Sequence, residues 1–137
     1  MDDSLFEAYR NTSFFADTPS GRLRIRVGQT SRDLDLLLGT HGARTWTYVT
    51  AFNPGSVMLS AEENWQRQVH LEAEVTRSGF VSFLGEGVGD DERWPPEPSL
   101  LILGIDEIHA IDLGRRFGQR AVVYGEAGAP AVLLRCL

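Results

Sequence analysis

Six polar residues have the types and spacing to hold a small molecule: Asn53, Ser56, Asn64, Arg67, Glu97 and Gln119. The amides both donate and accept hydrogen bonds, and arginine is a permanent cation with a fixed fork of donors. A glutamate held in a loop is a candidate base or ligand-orienting group. Asn53 and Ser56 stand in a turn, Asn53-Pro54-Gly55-Ser56, that leads to Ser60-Ala61-Glu62-Glu63, a capping box opening a long helix. At about 3.6 residues per turn, Asn64, Gln68, Leu71 and Val75 lie on one line of that helix. Leu71 and Val75 belong to a core face, so Asn64 and Gln68 are expected to be buried too. Buried amides must find partners, because an unmade hydrogen bond costs about 1–3 kcal/mol. They either brace the Asn53 loop or line a pocket. A strand-to-helix loop is where ligands collect in α/β architectures. An anion is disfavoured here, because Glu62 and Glu63 already compensate the helix dipole. Trp94 to Ser99, stiffened by three prolines in Trp94-Pro95-Pro96-Glu97-Pro98, forms a second candidate wall presenting Glu97.

Other chemistry is poorly supported. Gly85-Glu86-Gly87-Val88-Gly89 lacks dinucleotide-binding spacing and is followed by acids rather than a helix. Asp90-Asp91-Glu92 reads as a solvated loop, and His41, His70 and His109 have no metal-ligand spacing, so no metal and no cofactor is expected. No Gly-x-Ser-x-Gly elbow occurs, and Cys136, one residue from the end, is a poor nucleophile. With no nucleophile–base pair visible, the residues do not decide whether the protein is an enzyme, and no reaction follows. The expected function is a polar pocket for a small polar ligand, formed by the Asn53–Ser60 loop and the start of the following helix. The alternative is a protein-interaction module with no catalytic activity, docking through an acidic surface, an exposed strand face of Arg22, Arg24 and Arg26, and the rigid Trp-Pro-Pro loop.

The elements that must position these residues follow from periodicity. Leu23, Ile25 and Val27 alternate with Arg22, Arg24 and Arg26, which predicts a half-buried strand with an arginine face. Ser31 caps a short helix carrying Leu34, Leu37 and Leu38. Thr45 to Phe52 predicts a second strand, Ala61 to Ser78 the long helix, Phe80 to Leu84 a short strand, and Gly85 to Pro98 an irregular loop. Ser99 to Ile105 predicts a central strand, because a continuous apolar run needs both faces covered. A helix from Asp106 to Phe117 and strands Ala121–Tyr124 and Ala131–Leu134 complete the chain, after an opening helix or turn over residues 2–10. The expected fold is a two-layer α+β sandwich: a mixed sheet of five or six strands with two or three helices packed on it. A ferredoxin-like arrangement is one version.

With 137 residues the chain is expected to be one domain, residues 1–137. The net charge is −6, and the excess is uneven: the first sixty residues hold six Arg and six acids, the rest seven Arg and thirteen acids. All 13 basic residues are Arg. An acidic chain gains little from counterion release, so no nucleic-acid partner is expected. A single cysteine, no signal-like N-terminus and no long apolar run lead to the expectation of a cytoplasmic protein with no membrane partner. The oligomeric state is open.

Thr50-Ala51-Phe52-Asn53-Pro54-Gly55-Ser56, Leu59-Ser60, Glu63-Asn64, Arg67 and Leu71 also carry a family resemblance, as do Gly85, Gly87, Trp94, Glu97-Pro98-Ser99 and Phe117-Gly118-Gln119. In these residues the chain resembles the bacterial domain-of-unknown-function 3293 (DUF3293) family of small proteins. The resemblance implies that residues 1–137 form the complete unit. It implies no reaction, cofactor or partner.

Overall fold

A computed structural model describes residues 3–137, the side chain of Asp3 aside; Asp2, expected in the opening helix, lies outside the described residues. The chain runs α1 (Asp3–Arg10), β1 (Ser13–Thr18), β2 (Gly21–Ile25), α2 (Arg32–Thr40), β3 (Thr45–Val49), a short 3-10 turn (Pro54–Ser56), α3 (Ala61–Arg77), β4 (Val81–Val88), β5 (Glu97–Leu103), α4 (Glu107–Arg116), β6 (Ala121–Glu126) and β7 (Val132–Arg135). The strands form one sheet in the order β2-β1-β4-β5-β3-β6-β7, with every neighbouring pair antiparallel. An isolated parallel bridge between Val27 and Ala131 joins the continuations of the two outermost strands. The sheet is therefore curled into a half-barrel.

This corrects the expected flat sandwich on three counts. The sheet has seven strands rather than five or six, its pairing is antiparallel rather than mixed, and four helices accompany it among the described residues. It is not ferredoxin-like. The missing strand was β1, whose Ser13-Phe14-Phe15-Ala16-Asp17-Thr18 has no clean alternation. The Gly85–Val88 stretch belongs to β4, not to a loop. Glycine there is a requirement of close approach: a Cβ on Gly85 would come within 1.8 Å of the Phe15 carbonyl oxygen. A residue type that depresses strand propensity is in place because two backbones nearly touch.

Burial explains the curl. Phe14, Ala16, Leu23, Ile25, Trp46, Tyr48, Leu101, Leu103 and Val123, drawn from five strands, converge on Leu34, Leu37 and Leu38 of α2. That cluster fills the concave face. The opposite side chains of the central strands, among them Val49, Leu100, Ile102, Val122 and Tyr124, pack against Leu71 and Val75 of α3 and Ala110 and Leu113 of α4. β5 is thus buried on both faces, as its apolar run requires. The helix starts are capped as the sequence predicts: Ser31, Ser60 and Asp106 accept from the backbone N–H groups of Leu34, Glu63 and His109.

Candidate functional site

The Asn53 turn is built as its residues dictate. Gly55 sits at φ 64° and the Ser56 N–H donates to the Asn53 carbonyl at 2.9 Å, the form expected of a type II turn. Asn53 itself is left-handed, at φ 48°. The turn then rests on the segment entering β6: the Gly55 N–H donates to the Gly118 carbonyl at 2.7 Å, and Arg120 Nε to the Gly55 carbonyl at 3.2 Å.

Asn53 is the centre of the local bonding. Its N–H donates to Asn64 Oδ1 at 2.8 Å, and its Oδ1 accepts from Asn64 Nδ2 at 2.8 Å and from the Leu59 N–H at 3.0 Å. Its Nδ2 donates to Glu97 Oε2 at 2.8 Å. Gln68 accepts from the Ala51 N–H at 3.0 Å. Arg67 donates to the Ala51 and Phe117 carbonyls at 2.9 and 2.5 Å, and Gln119 Nε2 to the Phe52 carbonyl at 3.1 Å. Asn64 and Gln68 are buried, as their helical phase requires. Among the described residues no buried side-chain nitrogen or oxygen lacks a partner.

A cavity of about 450 Å³ opens at this end of the half-barrel, a volume typical of small-molecule sites. Asn53, Ser56, Glu97 and Gln119 line it; Asn64 and Arg67 do not. These two brace the loop from behind, so the start of α3 supports the site without forming its surface. The cavity instead has walls the sequence reading left out: Leu5, Ala8 and Tyr9 from α1, and Phe14, Tyr48 and Val123 from the sheet. The i, i+3, i+4 spacing of Leu5, Ala8 and Tyr9 is a signal that could have found the first of these walls. Trp94 lines the cavity too, and its Nε1 donates to Glu97 Oε2 at 3.0 Å.

Glu97 therefore has an asymmetric environment. One oxygen takes two donors, Asn53 Nδ2 and Trp94 Nε1. Among the described residues the other takes no donor and, not being a buried unpaired atom, opens on solvent-accessible space. Burial raises its carboxyl pKa, while the two donors pull it back. The Tyr9 hydroxyl, which donates to the Ala121 carbonyl at 3.3 Å, is pushed well above its usual range, by burial first and then by the charge of Glu97.

The remaining candidates are accounted for elsewhere. His41 packs edge-on against Phe83, and His109 pairs with the capping Asp106. Burial pushes the Cys136 thiol up, which suppresses its nucleophilicity. Asp91 pairs with Arg93. Among the described residues no three His, Cys, Asp or Glu side chains gather as metal ligands, and no helix is long and apolar enough to cross a membrane.

Residues 49–122 match the family described as Protein of unknown function (DUF3293), over more than half of the chain, and the chain belongs to that family. No curated protein and no solved structure matches it. The matched segment holds the whole Asn53–Glu97–Gln119 network, whereas α1, with its apolar wall, lies outside it.

Proposed function

We propose that this is a small-molecule-binding protein of the bacterial cytoplasm, with its site in the cavity between the Asn53 turn, the Trp94–Glu97 segment and α1. The observation that carries the reading is Glu97: a carboxylate withdrawn into a mostly apolar cavity and oriented by Asn53 and Trp94, with one oxygen unengaged by any described residue. A few fixed polar groups in an apolar concavity are the usual anatomy of a ligand site. Rigid support behind the polar groups is the other requirement, and Asn64, Arg67 and Gln68 supply it. The polar residues act as orienting groups, and no reaction is assigned.

The interaction-module alternative has less behind it. Trp94 spends its indole N–H on Glu97 and its ring on the cavity wall. A nucleic-acid role for the arginine face is disfavoured for a similar reason. Arg22 pairs with Glu86 and lies over the Phe15 ring, Arg24 donates to Ser13, and Arg26 donates to Ser13 and the Arg10 carbonyl.

Thermal-shift screening against small-molecule classes tests the proposal. A ligand at about 100 times its Kd should add about 2.7 kcal/mol of stability. Ala8→Phe, which places a ring at the cavity mouth, should abolish the response while leaving the unliganded melting curve nearly unchanged. A response that survives Ala8→Phe would place the ligand elsewhere and overturn the proposal.

A further inference from the structure

The charge and shape of the cavity say more than that it can be filled. Among the described residues its ionisable lining consists of Asp90, Asp91, Glu97, Tyr9 and Tyr48, with no Arg, Lys or His. The nearby cations are committed elsewhere: Arg93 to Asp91, Arg67 to the Ala51 and Phe117 carbonyls, and Arg120 to the Gly55 carbonyl. On the β4 side, Glu86 is paired with Arg22. Among the described residues, Glu97 thus lies in a partly desolvated space without a counter-ion, and its hydrogen bonds come from neutral donors, Asn53 and Trp94. The same cavity is lined by the aromatic rings of Tyr9, Phe14, Tyr48 and Trp94, a residue class that favours cations, and by the aliphatic groups of Leu5, Ala8 and Val123.

Resting on the cavity reading above, we infer that the occupant is a small organic cation, a primary or secondary ammonium on an apolar body, that donates its N–H to the free oxygen of Glu97. The ammonium supplies the charge that Glu97 lacks, and the apolar body covers the aromatic and aliphatic walls. An anionic ligand would meet the carboxylates of Glu97 and Asp90, with Asp91 paired to Arg93, and no uncommitted cation among the described residues. A neutral ligand would leave the carboxylate uncompensated. Burial already raises the carboxyl pKa, so a bound cation should stabilise the ionised form and release a proton where Glu97 is partly protonated. The flanking Asp90 keeps the same sign of field at the mouth, and Tyr9 and Tyr48 stay neutral throughout that range because burial raises both hydroxyls.

The test uses three probes of one shape: 2-phenylethylamine, 2-phenylethanol and 3-phenylpropanoate, titrated at up to millimolar concentration into labelled protein followed by NMR. The amine should shift Leu5, Tyr9 and Val123 resonances and bind at least about ten-fold more tightly than the alcohol. Glu97→Gln, which keeps an oxygen for Asn53 and Trp94, should remove that preference, bringing the amine and the alcohol to similar affinity. In the wild type, affinity for the amine should fall as pH drops through the Glu97 titration while that for the alcohol stays level, a readout independent of the variant's folding. Equal binding of alcohol and amine, tighter binding of the carboxylate, or an amine preference that survives Glu97→Gln would overturn the cation inference and leave the cavity reading intact. If none of the three probes shifts a cavity resonance, both fall.

Discussion

On the side of the Asn53 turn, the cavity wall is a hydrogen-bonded lattice; on the side of α1, it is an apolar helix face laid over the opening. In the first wall each buried amide is satisfied by a named partner, and Asn53 alone joins the turn to α3 through Asn64 and to β5 through Glu97. In the second, Tyr9 stacks on Phe14 with ring centroids 6.3 Å apart, and the bonds that tie α1 to the sheet include Tyr9 to the Ala121 carbonyl and Arg26 to the Arg10 carbonyl. Directional bonds fix atoms to a few tenths of an ångström, which a group that orients a ligand needs. Apolar contact is non-directional and tolerates sliding. The polar wall is thus held by directional bonds and the α1 wall largely by apolar contact.

Substitutions can break this contrast in graded steps. Asn64→Leu should have the largest effect, about 2–4 kcal/mol lost in chemical denaturation, because the Asn53 N–H is left buried and unpaired. A loss below about 1 kcal/mol would mean the lattice is not what holds the turn. Gly118→Ala should cost about 1–3 kcal/mol, since the residue takes positive φ and a new Cβ would lie 2.7 Å from that of Pro54. Its damage should centre on the Asn53 turn, visible as faster amide exchange there. Tyr9→Phe should cost less, about 0.5–1.5 kcal/mol, and should raise exchange in α1 while sparing α3. Equal loosening of both helices would erase the distinction between the walls.

The smallest expected effect at neutral pH sharpens the comparison from inside the cavity. Burial holds the Glu97 carboxyl above its usual range, so the folded chain binds that proton more tightly than the unfolded chain. The associated stability is complete below the ordinary glutamate range and is lost as pH rises through the raised pKa. Glu97→Gln cannot titrate. Its stability, compared with wild type across this window, should therefore lack that decline and gain relative to wild type as pH rises. A constant difference across the window would show that Glu97 is not desolvated in the fold.

Local patterns determined much of this protein. The buried phase of Asn64 and Gln68, the caps at Ser31, Ser60 and Asp106, the turn at Asn53-Pro54-Gly55-Ser56 and the interior position of β5 are all legible in residue patterns a few positions long. Asn53, Ser56, Glu97 and Gln119 were legible as candidates for the same reason: polar side chains sit where strands and helices end. Only the tertiary structure decided that Asn64 and Arg67 brace the turn from outside the cavity, that α1 forms the opposite wall, and that seven antiparallel strands curl until Val27 meets Ala131. These are outcomes of long-range packing. A helix phase shows that a side chain points inward but not what it meets there. A glycine marks conformational freedom or a close neighbour, and which of these holds at Gly85 depends on Phe15, seventy residues away along the chain.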